Sequence, residues 1–256
     1  MRFLVFILLL SFSVGSLSGE RQPWNRLAES REVLQGAEVS TGTISLDLPG
    51  VTQDGSSVNL GVEIDHPMEA DRYIEKVYVF ADRNPSPEVL DLQLSPHLGT
   101  VRFNTRIRLN ESQRVIVLAR NNDGEWFGET QEVRVTISGC LSRGGANNDN
   151  RMQARARGPS PLASGETGEI RTLINHPMET GLREDNRGRT IPQNIIETMT
   201  VANGDGPLLE ATFYRSLSAN PRLFFGIQPK SSQDLTLTWT EDTGETTTAE
   251  VSLRVN

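Results

Sequence analysis

The sequence predicts an all-β protein: two antiparallel β-sandwich domains, with one short helix before the first. Three observations carry that prediction. Short runs with apolar residues at every second position recur along the chain, each closed by Gly, Pro, Asn or Asp. No long helical pattern separates them, which argues against a βαβ enzyme fold. The polar stretch Leu141–Asn150 has one large apolar residue in ten and splits the runs into two series, as a linker would.

Taken in order, residues 1–19 begin with Arg2, continue with an apolar run over Phe3–Leu10, and end in small residues at Gly15–Gly19. That is the pattern of a secretory signal peptide, too short to span a bilayer comfortably. No later segment is apolar enough to span a membrane. Apolar residues at Trp24, Leu27, Ala28, Val33 and Leu34 predict a short helix. Strands follow at Ile44–Leu48, Val58–Ile64, Ile74–Phe80, Val89–Leu94, Val101–Leu109, Arg114–Ala119 and Glu132–Ile137. In the fifth of these, Val101, Phe103, Thr105, Ile107 and Leu109 share one face, opposite Arg102, Arg106 and Arg108. This first domain is expected over residues 20–140, with the linker at 141–150. The second, over 151–256, holds strand patterns at Met152–Arg157, Gly168–Ile174, Ile195–Ala202, Leu208–Tyr214, Arg222–Ile227, Asp234–Trp239 and Thr247–Val255. Trp126 and Trp239 are expected in the core, and Glu241–Gly244 forms a hairpin turn. One short echo links the halves, Asp65–Glu69 (DHPME) and Asn175–Glu179 (NHPME). In each, proline after histidine ends a strand-like run.

The net charge of −8 argues against nucleic acid or an anionic membrane as partner. Cysteine is the informative residue, because there is one, Cys140, and it cannot staple its own chain. It stands where the last strand of the first series meets the linker, with Ser138 and Gly139 before it and Gly144 and Gly145 beyond. Those small residues would give a sulfur-bearing arm its freedom. The residues leave two readings open, an exposed thiol used chemically or a buried, inert one. Between Leu141 and Arg157, four arginines (143, 151, 155 and 157) face one acid, Asp149. Arg143 is the best placed to support a thiolate or a bound anion. Arg155 and Arg157 fit the solvent face of a strand equally well. None of His66, His97 and His176 has the spacing of a nucleophile's base, no metal-ligand spacing occurs, and no glycine-rich nucleotide loop is present. A thiol without companion chemistry suits a carrier that needs no cofactor, not an enzyme.

The first half carries Ile44–Pro49 (ISLDLP), Asp54–Val58 (DGSSV), Thr105–Leu109 (TRIRL) and Val135–Cys140 (VTISGC). The second carries Leu173–Gly181 (LINHPMETG), Ile191-Pro192, Ser218–Pro221 (SANP) with Phe224, and Trp239 through Asp242 to Gly244. On these motifs, spanning roughly residues 30–256, the chain resembles the SoxY and SoxZ subunits of the periplasmic thiosulfate-oxidising Sox system, fused in one polypeptide. The resemblance implies immunoglobulin-like sandwiches paired within the molecule, with sulfur intermediates carried covalently on Cys140. It places the protein in the periplasm. Oxidation and hydrolysis would fall to partners such as c-type cytochromes or a hydrolase. Fused chains of this kind are also associated with quinoprotein (PQQ) alcohol dehydrogenases, so an accessory role there is the alternative, beside a plain structural interaction module. The chain departs from the family in three ways. Ser138 and Leu141-Ser142-Arg143 replace arm glycines, the arm is tethered at both ends, and the leader lacks a twin arginine.

Overall fold

A computed structural model describes residues 22–137, 150–159 and 161–256. The expected signal peptide lies outside them. The described chain is predominantly β, in two sheets with little helix. A 3-10 turn, Pro23–Asn25, leads into an α-helix, α1 (Ala28–Leu34), which ends on Gln35 in the left-handed region. Among the described residues sixteen strands follow. The first nine are β1 (Val39–Ser40), β2 (Ile44–Asp47), β3 (Val51–Thr52), β4 (Val58–Ile64), β5 (Ile74–Ala81), β6 (Glu88–Leu94), β7 (Val101–Ile107), β8 (Gln113–Asn121) and β9 (Trp126–Val135). The remainder are β10 (Ala154–Arg157), β11 (Gly168–Ile174), β12 (Ile196–Asn203), β13 (Gly206–Phe213), β14 (Phe224–Ile227), β15 (Gln233–Glu241) and β16 (Thr246–Leu253).

Alternation fixed most of these elements in advance: β4 and β11 have the expected limits, and most other predicted strands lie within two residues of theirs. In β7 the burial alternates as expected, with Val101, Phe103, Thr105 and Ile107 inward. Trp126 and Trp239 are both buried. The turn Glu241–Gly244 joins β15 to β16, with Gly244 at φ 88°. Two short strands were not foreseen. β1 and β3 pair parallel with opposite ends of β9, while β2, between them, joins the other sheet. A two-residue strand has no periodicity to read.

The sheets do not respect the boundary between the two series. One runs β1-β9-β8-β5-β6-β13-β12-β15-β16, with β3 also on β9, and the other runs β10-β11-β14-β7-β4-β2. Each crosses from the first half to the second through one antiparallel seam. At the β6–β13 seam, Leu90, Leu92 and Leu94 stand opposite Phe213, Ala211 and Leu209. At the β7–β14 seam, Phe103 stands opposite Phe225. Either strand left at an edge would offer unpaired backbone beside apolar side chains, a template for aggregation, and the seams remove both edges. Inner-face residues of both sheets and both halves, from Leu60 and Val79 to Val201 and Leu237, form one hydrophobic cluster. A smaller cluster packs the helix on the outer face of the larger sheet, with Trp24 and Leu34 against Phe80, Ile116, Leu118 and Trp126.

Candidate functional site

The cysteine-bearing segment leaves the larger sheet at the end of β9, and that exit is held on both sides. Ser112 Oγ accepts from Val135 N at 3.0 Å on one side. On the other, Thr52 O accepts from Thr136 N at 3.0 Å, and Gly55 N donates to Ile137 O at 3.2 Å. The loop supplying Gly55 turns on Asp54, whose Oδ1 accepts from Ser56 N at 2.8 Å. Beside this anchored backbone the side chains of Val51 and Ile137 stand 59% and 60% exposed, two of three large apolar residues so exposed among the described residues. The strand therefore stays paired to within three residues of Cys140.

The return is anchored more firmly. Met152 is buried with φ at 64°, and its N donates to Asn175 O at 2.9 Å. Arg151 donates to Glu241 and, at 2.5 Å, to Glu245. Glu241 closes the β15–β16 hairpin and is fully buried. It also accepts from Thr243 Oγ1 and, at 2.8 Å, from His176 Nε2. Burial alone would push its carboxyl up. The bonds from Thr243, Arg151 and His176 outweigh it and bring the carboxyl down to about 2. His176 Nδ1 accepts from Met178 N at 3.0 Å, so the ring proton sits on Nε2, the nitrogen facing Glu241. Burial pushes the His176 pKa down, which keeps the ring neutral. Asn220 completes the anchor, its Oδ1 accepting from His176 N at 3.0 Å.

This network engages two of the residues weighed from the sequence. Arg151 belonged to the local positive excess, but its charge is matched by Glu241 and Glu245. His176 is a buried structural group and not a base presented to a thiol. The echo at Asp65–Glu69 exits its strand differently, with His66 Nδ1 donating to Pro67 O at 2.7 Å and the ring tilted against Phe127. His66 and the exposed His97 lie by the Ile64 and Val101 ends of β4 and β7, the opposite end of the sheet from Gly55 and Ile107. Arg155 and Arg157 are exposed on β10. Cys140, Ser138, Gly139, Arg143, Gly144 and Gly145 lie outside the described residues. Sequence reasoning took Glu241 for a turn residue. Its burial had no local signal, because the partners Arg151 and His176 are 90 and 65 residues away.

Among the described residues no three His, Cys, Asp or Glu side chains converge as a metal site requires. No described helix is long and apolar enough to cross a membrane.

Comparison with protein families matches residues 30–140 to SoxY, sulfur oxidation protein SoxY, and residues 156–252 to SoxZ, sulphur oxidation protein SoxZ. No curated protein matches the chain. Among solved structures, the sulfur carrier protein SoxY of Chlorobium limicola f thiosulfatophilum is similar at 18% identity. It covers 41% of this chain and 86% of its own, with a TM-score of 0.36. A putative superoxide reductase of Thermotoga maritima is similar at 21% identity and a TM-score of 0.32, covering 39% of this chain and 89% of its own. A superoxide reductase (neelaredoxin) of Ignicoccus hospitalis is similar at 15% identity and a TM-score of 0.34, covering 38% and 94%. Likenesses at these scores bear on neither ligand nor site.

Proposed function

Since the chain belongs to the SoxY family over its first domain and to the SoxZ family over its second, we propose that it is a periplasmic carrier holding sulfur-compound intermediates covalently on Cys140. The observation that carries the reading is where the SoxY match ends: it runs to residue 140, the position of the one cysteine. The anchoring on either side supports it. A carrier segment has to move its cargo between partners without loosening the body, and residues up to Ile137 and from Arg151 onward are tied down by hydrogen bonds and ion pairs. Ser138, Gly139, Gly144 and Gly145 supply the arm's freedom, and Arg143 supports the thiolate or an anionic adduct.

Joining a sulfur compound to a thiolate through a new sulfur–sulfur bond releases two electrons. The carrier passes them to a redox partner, such as a c-type cytochrome, and a hydrolytic partner releases the finished product. In this reading the first domain is residues 20–140, the linker bearing the thiol arm is 141–150, and the second domain is 151–256. Each half is an immunoglobulin-like sandwich whose sheets the other half extends.

The test is intact mass of the mature protein taken from its native periplasm without reductant, repeated after reduction. Mass additions that map to Cys140 and vanish on reduction are expected. An unmodified thiol that also resists a small alkylating reagent in the folded protein would overturn the reading. Cys140→Ser should leave the unfolding midpoint unchanged and abolish sulfur oxidation in a reconstituted system.

A further inference from the structure

The outer face of the smaller sheet carries a pair of like charges that folding alone does not explain. The β7–β14 ladder ends with Asn104 opposite Phe224, and beyond it the Arg222 side chain crosses the face of β7 to Asn59, the β4 residue opposite Arg106. Thr105 Oγ1 donates to Arg222 O at 2.8 Å, which holds the two backbones together there. Like charges held side by side on one face repel one another. Arg106 is the one charged group that acts on Arg222, and it acts, with burial, against the protonated form. The acids of this face are engaged elsewhere or distant. Glu169 accepts from Arg171 at 2.7 Å, Glu63 stands opposite Arg102, and Asp47 lies two strands away on β2.

The donors are also left over. The Nε atoms of Arg106 and Arg222 are both buried and without a hydrogen-bond partner among the described residues. Burying a charged donor unpaired is costly, so each such group requires an explanation. Arg222 is meanwhile held in place. Its Nη2 donates to Asn59 Oδ1 at 2.7 Å and lies 3.4 Å from Asn104 Oδ1, and its guanidinium lies 5.1 Å above the Phe224 ring. A stacked, fixed guanidinium loses little freedom when it binds an oxyanion.

The geometry points to Arg106 and Arg222 as a binding site for a small tetrahedral oxyanion of the sulfate or sulfonate class, set on the seam between the two domains. The anion cancels the repulsion and offsets the cost of holding two guanidinium groups side by side with their Nε–H groups unpartnered. The site lies at the end of the molecule where the cysteine segment leaves. Arg106 O accepts from Ser218 N at 3.0 Å, and Ser218 Oγ donates at 2.9 Å to Ser56 O, in the loop that holds Ile137. Seating the charged end of a sulfur oxyanion cargo is the natural use of such a site, and that use alone rests on the carrier reading.

The experiment is titration of the full mature chain bearing Cys140→Ser with sulfate and with thiosulfate, followed by calorimetry and thermal shift, against sodium chloride at matched ionic strength. This protein cannot form an adduct on residue 140, so the result stands whether or not the carrier reading does. Saturable binding of either oxyanion is expected, weakened by about tenfold or more in Arg106→Gln and in Arg222→Gln. In the absence of anion, Arg106→Gln should be no less stable than its parent, because it removes the repulsion. No saturable binding, or equal binding in both variants, would overturn the proposal. A response to an acidic peptide such as polyglutamate, with none to either oxyanion, would also overturn it and assign the pair to docking of an acidic protein.

Discussion

Glu241 is a buried carboxyl group and Asp91 a half-buried one, and they titrate in opposite directions. The folded carboxyl of Glu241 sits near 2, below its usual 4.5. Its contribution is therefore fully present above about pH 4.5 and is lost as the pH falls toward 2. Glu241→Gln should lower stability by about 3 kcal/mol at pH 7, as expected when a buried ion pair loses one partner. Urea midpoints of wild type and variant should then converge as the pH falls from 4.5 toward 2. His176, pushed down by burial, adds to the same trend, since its protonation below about pH 6.5 favours the unfolded chain. Asp91 stands on β6 at the seam, with its Oδ1 unpartnered among the described residues and its Oδ2 accepting from Tyr214 at 2.8 Å. Burial raises it to about 6 against the Tyr214 bond, so ionisation costs stability as the pH rises through 4 to 6. Asp91→Asn keeps an acceptor for Tyr214 and removes that cost. It should raise Tm at pH 7 by about 3 °C, the response of a chain this size to roughly 1 kcal/mol, and the gain should vanish below pH 4.

At the scale of elements, β9 carries the arm's root and takes the chain's first segment along its free edge. Gly128 makes the contact close: a Cβ there would lie 2.6 Å from Val39 Cγ1 and 3.2 Å from the Trp24 ring. Gly128→Ala should cost about 1–3 kcal/mol through overpacking. It should be read first as faster proteolysis in residues 22–36, before global unfolding. Ser112 holds β9 from the other side, through Val135. Ser112→Ala should speed amide exchange at Val135 while leaving exchange in the centre of β8 unchanged. Equal exchange at Val135 would mean that the β3 pairing alone secures the root.

Over the whole molecule, two shared sheets and one core make the halves a single unit of stability. Calorimetry should give one transition with calorimetric and van't Hoff enthalpies in agreement, and two resolved transitions would contradict a shared core. A protease site engineered into residues 141–149 offers a second check. The cut chain should still elute as one species, held by the β6–β13 and β7–β14 seams and the core between them. The first half expressed alone, with β6 and β7 uncovered, should be poorly soluble.

The sequence by itself determined the β class, the position and facing of most strands, the core tryptophans and the singular cysteine. Each of these is written in residues a few positions apart, where period and turn chemistry act. Tertiary structure decided which strands are neighbours, because alternation tells a strand which face to bury but not whose edge to join. It alone turned Glu241 from a hairpin residue into the buried centre of an anchor. It alone set Arg106 against Arg222. Those pairings depend on electrostatics and burial between residues 65 to 116 positions apart, and no local pattern in the chain encodes them.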